Sequence, residues 1–287
     1  MSSPFLMKRS LEGLSLGDAF GERFFVRDDV FATAIKLRRV PANPPWRWTD
    51  DTAMALSLTE TLDKFKAVNS DDFAKRLGER YAKEPARGYG AGAHEVLGHL
   101  SRGAPWKPSA QALFEGAGSK GNGAAMRVAP LGAFFSEEPL STVVEEAFRS
   151  ASVTHAHAEG QAGAVAIAVA ASLIARHEEL ANIWRHVLAR TPPGATRDGL
   201  SNASRLGFDV PSTHAAQELG NGSKVLSEDT VPFSLWCALK HLNDYSEALW
   251  ATVAAGGDRD TTCAIVGGLV GIHQSLPADW LSAREPL

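Results

Sequence analysis

Cysteine is scarce in this chain. Only Cys237 and Cys263 occur in 287 residues, both in apolar surroundings and neither in a C-x2-C spacing. That scarcity excludes a disulfide scaffold and a thiolate zinc site, and points to a reducing, cytoplasmic compartment. Long apolar runs are missing too: the longest, Ala162 to Ala175, is about 14 residues where a bilayer crossing takes ~20. After Lys8 and Arg9, Glu12 and Asp18 interrupt the apolar sequence before a signal-peptide core could form. A soluble, non-secreted protein is expected. Charge is not concentrated in one sign; 29 basic against 33 acidic side chains give a net −4, with no block of like charge. Neither duplex nucleic acid nor an anionic membrane finds an electrostatic footprint here. Strand signals are few, since alternating Val, Ile and Thr runs are rare and none is flanked by hairpin dipeptides.

Small residues and helical periodicity fill the space those absences leave. Glycine numbers 26, mostly in or beside apolar segments rather than in linkers. In Thr52–Val68 the residues Met54, Leu58, Leu62 and Phe65 form one stripe of a 3.6-residue repeat. Gly160–His177 is small and apolar on most faces, which predicts a central helix packed on all sides. In the segment from Cys263 to His273, Gly267, Gly268 and Gly271 predict close helix contacts. Prolines 41, 44, 45, 105 and 108 and the glycine-rich stretch Gly116–Gly123 separate these segments. The polar stretch Thr191–Val231, with Pro192, Pro193 and Pro211 and bounded by Pro232, reads as an elaborated surface loop with short helical turns. The expectation is an all-α fold, one domain over residues 1–287, and a monomer.

Two short acidic clusters lie some two hundred residues apart: Trp48-Thr49-Asp50-Asp51-Thr52, and Gly256-Gly257-Asp258-Arg259-Asp260-Thr261-Thr262. Each directly precedes an apolar helix. Capping a helix takes one side-chain oxygen, and these clusters hold more. Four carboxylates and two Thr hydroxyls, if they converge, form an oxygen-only cage suited to hard cations, without the His or thiolate that favours zinc. Carboxylates brought that close repel unless cations neutralise them. The residues therefore point to a binuclear magnesium or manganese site able to position a water.

Gly118-Ser119-Lys120-Gly121-Asn122-Gly123-Ala124-Ala125-Met126-Arg127 fits neither a P-loop nor a dinucleotide fingerprint. A small-residue loop entering a helix can nonetheless turn its amides toward phosphate or ribose oxygens. Thr154-His155-Ala156-His157 precedes the apolar helix, where one histidine could donate to a phosphate or ribose. Arg87-Gly88-Tyr89-Gly90 offers a ring for stacking and glycines for access.

Together with Gly13-x3-Gly17-Asp18-Ala19-Phe20-Gly21, these motifs run collinearly from about residue 10 to 275, and their order resembles the ADP-ribosylglycohydrolase family. The resemblance implies a compact orthogonal helical bundle holding two magnesium ions, with manganese as the alternative. It also implies hydrolysis of the glycosidic bond joining ADP-ribose to an acceptor, on an ADP-ribosylated protein or small molecule. Carried over motif by motif, Thr49, Asp50, Asp51, Asp258, Asp260 and Thr261 would bind metal. Gly121, Asn122, Gly123, Met126, Arg127 and His155 would hold diphosphate and ribose, and Gly88, Tyr89 and Gly90 would line the adenosine side. Many members carry a Glu about seven residues after the first motif's Asp, where this chain has Phe25. Glu22 is the nearby acid expected to serve, with Asp50 and Asp51 as the other candidates for proton transfer. Arginine is the expected acceptor, followed by serine or a small ADP-ribose ester. Two rivals stand beside this reading. One is an ADP-ribose-binding protein of the same fold with impaired catalysis. The other is a metal-dependent nucleotide phosphohydrolase, which the absence of any His-Asp dipeptide disfavours.

Overall fold

The computed structural model describes residues 3–287, among which every regular element is helical. In chain order these are α1 (Ser3–Glu22), α2 (Asp28–Leu37), α3 (Asp50–Phe65), α4 (Ser70–Lys83), α5 (Ala91–Ser101), α6 (Trp106–Ala112), α7 (Ala129–Phe134) and α8 (Leu140–Ser152). The second half holds α9 (Ala158–Ala175), α10 (Leu180–Arg190), α11 (Ala195–Arg205), α12 (Ser212–Leu219), α13 (Ser227–Lys240), α14 (Tyr245–Val253), α15 (Arg259–Val270) and α16 (Ala278–Ala283). A 3-10 turn at Asn122–Ala124 precedes α7. The all-helical expectation holds.

Composition dictates the centre. An Ala-rich helix has no polar face to turn to solvent, so α9 is enclosed by α7, α8, α10, α11 and α13. By length and composition α9 could cross a membrane, but 83% of it is buried inside the fold. Its first turn is capped by His157, whose Nδ1 accepts from the Glu159 amide at 3.1 Å.

The seam between α1 and α15 positions the site. Gly13, Gly17 and Gly21 recur every fourth residue and so share one face of α1. A Cβ there would lie 2.3, 2.1 and 2.2 Å from the carbonyl oxygens of Gly267, Cys263 and Arg259. Only glycine permits that approach, and it sets Asp18 and Glu22 beside the start of α15. The predicted contacts at Gly267 and Gly271 are the other half of this seam. Beneath it Phe20, Phe24, Trp250 and Trp280 pack edge to face or stacked, with centroids 4.6 to 6.2 Å apart.

The stretch Thr191–Val231 departs from its reading as a decorated loop. It holds α11, α12 and the first turn of α13, and Pro232 lies inside α13 instead of ending it. Leu200, Ala203, Ala215 and Leu219 give these polar helices a buried side. Pro232 fits because Gly199 faces it, where a Cβ would come within 2.7 Å of the proline ring.

Candidate active site

The start of α3 is organised by a residue from another helix. Asp18, buried on α1, accepts from the Thr49 amide at 2.9 and 3.0 Å and the Thr52 amide at 3.0 Å. It also accepts from the Thr49 hydroxyl at 2.9 Å and the Thr52 hydroxyl at 2.5 Å. An amide three residues past the cap is the one an N-cap side chain ordinarily satisfies. Asp18 does that work across the seam, and Thr49 makes no capping bond of its own. The carboxylates of Asp50 and Asp51 are thereby released from capping, although the Thr49 hydroxyl lies 3.0 Å from Asp51 Oδ2.

The start of α15 is shaped by backbone. Gly256 and Gly257 adopt φ of +70° and +68°, and a Cβ on Gly257 would lie 2.2 Å from the Asn221 carbonyl. The Asp258 amide donates to that same carbonyl at 3.1 Å. Asp258 does not cap α15 either; its Oδ2 accepts from Asn122 Nδ2 at 2.7 Å, and Asn122 also donates to Thr230 Oγ1 at 3.0 Å.

The two starts meet. Asp51 and Asp260 are both held well above the usual carboxylate range, first by burial, then for Asp51 by the charges of Asp18, Asp260, Asp50 and Asp258, and for Asp260 by those of Asp258, Asp18 and Asp50. Burial, then Asp18, pushes Asp50 up to about 8. Burial raises Asp18 itself to about 6 against the lowering effect of its four hydrogen-bond donors. Asp258 is likewise raised by burial. Asp51 Oδ1 and Asp260 Oδ1 are buried without a hydrogen-bond partner. Such orphaned carboxyl oxygens are costly unless a proton or a cation completes them. The donor set is all oxygen and fits a hard cation. Among the described residues no three His, Cys, Asp or Glu side chains close on a single point with metal-binding geometry.

Glu22 ends α1 with its carboxylate 3.8 Å from Arg23 and 35% exposed. Burial raises its pKa, and its charge in turn raises Asp50, so the helix seam brings it to the first cluster. Phe25, by contrast, lies 48% exposed with the Arg259 guanidinium 5.2 Å from its ring centroid. Gly88, with φ +87°, borders the same carboxylates: a Cβ there would lie 3.6 Å from Asp50 Oδ1. Gly90 caps α5 and faces open space. Tyr89 does not offer a free ring. It is buried, with Tyr81 and His94 against it at centroid distances of 5.1 and 6.0 Å.

Part of the glycine-rich loop is turned inward. The amides of Gly121, Asn122, Ala125 and Met126 donate to Ser119 Oγ, the Val225 carbonyl and, for the last two, the Asn122 carbonyl. Its glycines instead allow packing: a Cβ on Gly118 would meet the His157 backbone at 2.6 Å, and one on Gly123 would meet the His155 ring at 3.3 Å. The Asn122 amide nitrogen is turned to Asp258 and Thr230. Met126 is buried, and Arg127 is entirely so, its guanidinium donating to the Ser150 carbonyl at 2.7 Å and the Gly123 carbonyl at 3.3 Å and facing the Phe73 ring. Burial lowers it to about 9. Arg127 therefore braces the loop from behind, because its carbonyl partners lie in the interior. His155, buried, shares a 2.7 Å hydrogen bond between Nδ1 and the Thr154 hydroxyl; burial, then Arg127, depresses it to about 3, so it is neutral.

Asp18 was visible in the sequence only as part of a motif; nothing local marked it as the anchor of a segment 31 residues away. Phe114 was missed too. It is 58% exposed with φ +52°, and its ring lies over Gly92 at the start of α5, beside Gly90. Open cavities of about 540, 560 and 350 Å3 surround the C-terminus of α2, and none of the cluster acids lines them.

A sequence profile of the ADP-ribosylglycohydrolase family matches residues 7–286. The chain is 32% identical to the ADP-ribosylhydrolase ARH3 of Bos taurus over 96% of this chain and 87% of the relative. It is 30% identical to the Homo sapiens ARH3 over 96% and 88%. To the ADP-ribosylarginine hydrolase Tri1 of Serratia proteamaculans it is 23% identical over 96% and 74%. A solved structure described as an ADP-ribosylglycohydrolase-related protein complex superposes with a TM-score of 0.69 at 23% identity, covering 99% of this chain and 93% of that one.

Proposed function

The chain belongs to the ADP-ribosylglycohydrolase family, and from that premise we propose that it hydrolyses the glycosidic bond between ADP-ribose and an acceptor side chain. One observation carries the reading: two helix starts, each relieved of capping, bring buried acids together and leave Asp51 Oδ1 and Asp260 Oδ1 without partners. Thr49, Asp50, Asp51, Asp258, Asp260 and Thr261 would hold two divalent cations, magnesium or manganese by donor chemistry. When bound, these would supply electrophilic polarisation and orientation of substrate oxygens and water.

The chain's own groups do the rest. Asp18 fixes the Thr49 and Thr52 amides and so aims the first cluster, while Asn122 orients Asp258 from the glycine loop. Glu22, raised by partial burial and close enough to bias Asp50, is suited to accept a proton from the attacking water and return one to the leaving group. Neutral His155 beside Gly123, with Gly88, Gly90 and the exposed Phe114 ring, would border the ADP-ribose. Phe114 offers the open aromatic face that Tyr89 lacks. Tyr89, Asn122, Met126 and Arg127 support this surface from within.

The test is release of ADP-ribose from ADP-ribosylated arginine and serine peptides in separate reactions, with magnesium, with manganese and with chelator. Release from either, dependent on a divalent cation, is the expected result, and the faster substrate names the acceptor. The arginine expectation finds its counterpart in the name of the 23% relative; the names of the 30–32% relatives specify no acceptor. No release from either conjugate, or from an ADP-ribose ester, under any of these conditions would refute the proposal. Glu22→Gln should retain ADP-ribose binding in calorimetry while losing turnover.

A further inference from the structure

Residues 283–286 run beside the segment that leads into the first acidic cluster. Glu285 Oε1 accepts from the Trp48 amide at 2.9 Å, 237 residues away in sequence, and from the Arg87 guanidinium. Arg87 donates to the Trp48 carbonyl at 3.0 Å and to both Glu84 oxygens at 2.8 and 3.0 Å. Its guanidinium carbon lies 3.6 Å from the Trp48 ring centroid. Register is set by backbone, with Trp46 N–H donating to the Ala283 carbonyl at 2.6 Å and Glu285 N–H to the Trp46 carbonyl at 3.0 Å. The Trp48 indole donates to the Pro286 carbonyl at 3.3 Å.

Both segments that Glu285 joins border the acids. Trp48 precedes Thr49, so the peptide plane between them directs the Thr49 donors toward Asp18. Arg87 precedes Gly88, which lies against Thr49 and Asp50 Oδ1. Asp18 holds this stretch from within and the Glu285–Arg87 pair holds it from without.

We propose that Glu285 is a positioning residue of the site, which fixes Thr49 and Asp50 against Gly88 through Trp48 and Arg87. The role rests on the reading of the clusters as a divalent-cation site. Without Glu285 the Trp48 amide loses its acceptor and Arg87, the donor to the Trp48 carbonyl, keeps only Glu84 as an anionic partner, so the peptides on both sides of Trp48 are less tightly held. Hydrogen-bond partners of metal ligands typically contribute ~10–100-fold in metal affinity; Glu285 acts one contact further out, through Trp48 and Arg87, so its loss is expected at the lower end of that range.

The experiment titrates Mn2+ alone into the full-length chain, follows free Mn2+ by electron paramagnetic resonance, and records Tm in parallel. Glu285→Ala should weaken Mn2+ binding at least about tenfold. Glu285→Gln, which keeps an oxygen for the Trp48 amide, should recover most of that loss. Arg284→Ala breaks the tail's 2.8 Å ion pair with Glu12; it should lower Tm and leave Mn2+ affinity unchanged. Wild-type affinity in Glu285→Ala, or equal weakening in Arg284→Ala, would overturn the role. A wild-type chain that binds no Mn2+ would overturn the cation reading itself, and this role with it.

Discussion

Four donors from Thr49 and Thr52 converge on Asp18 at the start of α3, whereas at the start of α15 two glycines in the left-handed region make the turn and Asn122 reaches in from the glycine loop to steady Asp258. The same kind of product, a helix N-terminus with its acids uncommitted to capping, is reached by side-chain anchoring in one case and by backbone conformation in the other. The difference locates the sensitivity of each. An anchored start depends on one carboxylate across a helix seam; a turn-built start depends on the absence of two β-carbons.

The largest effect should come from removing an acid that both starts share electrostatically. Asp260→Ala should lower turnover on the order of 10²–10³-fold, the range for deleting one electrostatic contact at a reacting centre. The cation-free protein should lose no stability, because a buried carboxylate repelled by its neighbours is removed. Steady-state kinetics and a thermal scan check the two halves. A drop in Tm without loss of turnover would break the picture of shared acids.

The next pair contrasts the two constructions. Asp18→Asn keeps the shape but turns an amide donor toward groups that are themselves donors, and should cost about 3 kcal/mol in denaturant unfolding. Gly257→Ala, which forces a Cβ against the Asn221 carbonyl at positive φ, should cost about 2 kcal/mol. If Asp18→Asn proved the milder, the side-chain anchor would be dispensable and the contrast would fail.

The smallest effect is a pH dependence. Carboxylates whose folded pKa is raised keep a proton that the unfolded chain has released, so their contribution is lost as pH climbs from the ordinary 3.8 toward about 6 for Asp18 and about 8 for Asp50. His155, neutral when folded, acts in the opposite sense: its folded pKa is depressed to about 3, so stability falls as pH drops below about 6.5. That contribution cancels when the same buffer is compared with and without magnesium. The gain in Tm on adding magnesium should therefore widen between about pH 5 and pH 8, since the cation takes the place of the protons. A gain that is flat or shrinks with pH would contradict the placement of cations on these acids.

Local pattern carried much of this into view. The stripe through Met54, Leu58 and Leu62 lies buried in α3, and the apolar run after His157 is the core helix. The two acidic clusters are legible as helix starts, since each stands just before an apolar helix, and they open α3 and α15. What stayed hidden depends on contacts between distant segments. Arg127 looks like a ligand-facing cation until the carbonyls of Gly123 and Ser150 are seen to enclose it. Tyr89 looks available until Tyr81 and His94 close on its ring. The amides of Gly121, Asn122, Ala125 and Met126 in the glycine loop look free until their internal acceptors are traced. Asp18, the buried acid of α1, reveals its purpose only through the Gly13, Gly17 and Gly21 seam that carries it to Thr49. Glu285 becomes meaningful only once the tail is laid beside Trp46 and Trp48.

The central claim is that the starts of α3 and α15 form one cation site, and anomalous diffraction from crystals soaked in Mn2+ tests it most directly. The account predicts manganese peaks between the two helix N-termini, in contact with Asp51 Oδ1 and Asp260 Oδ1. Crystals in which Mn2+ occupies neither oxygen, or binds one cluster without the other, would contradict it.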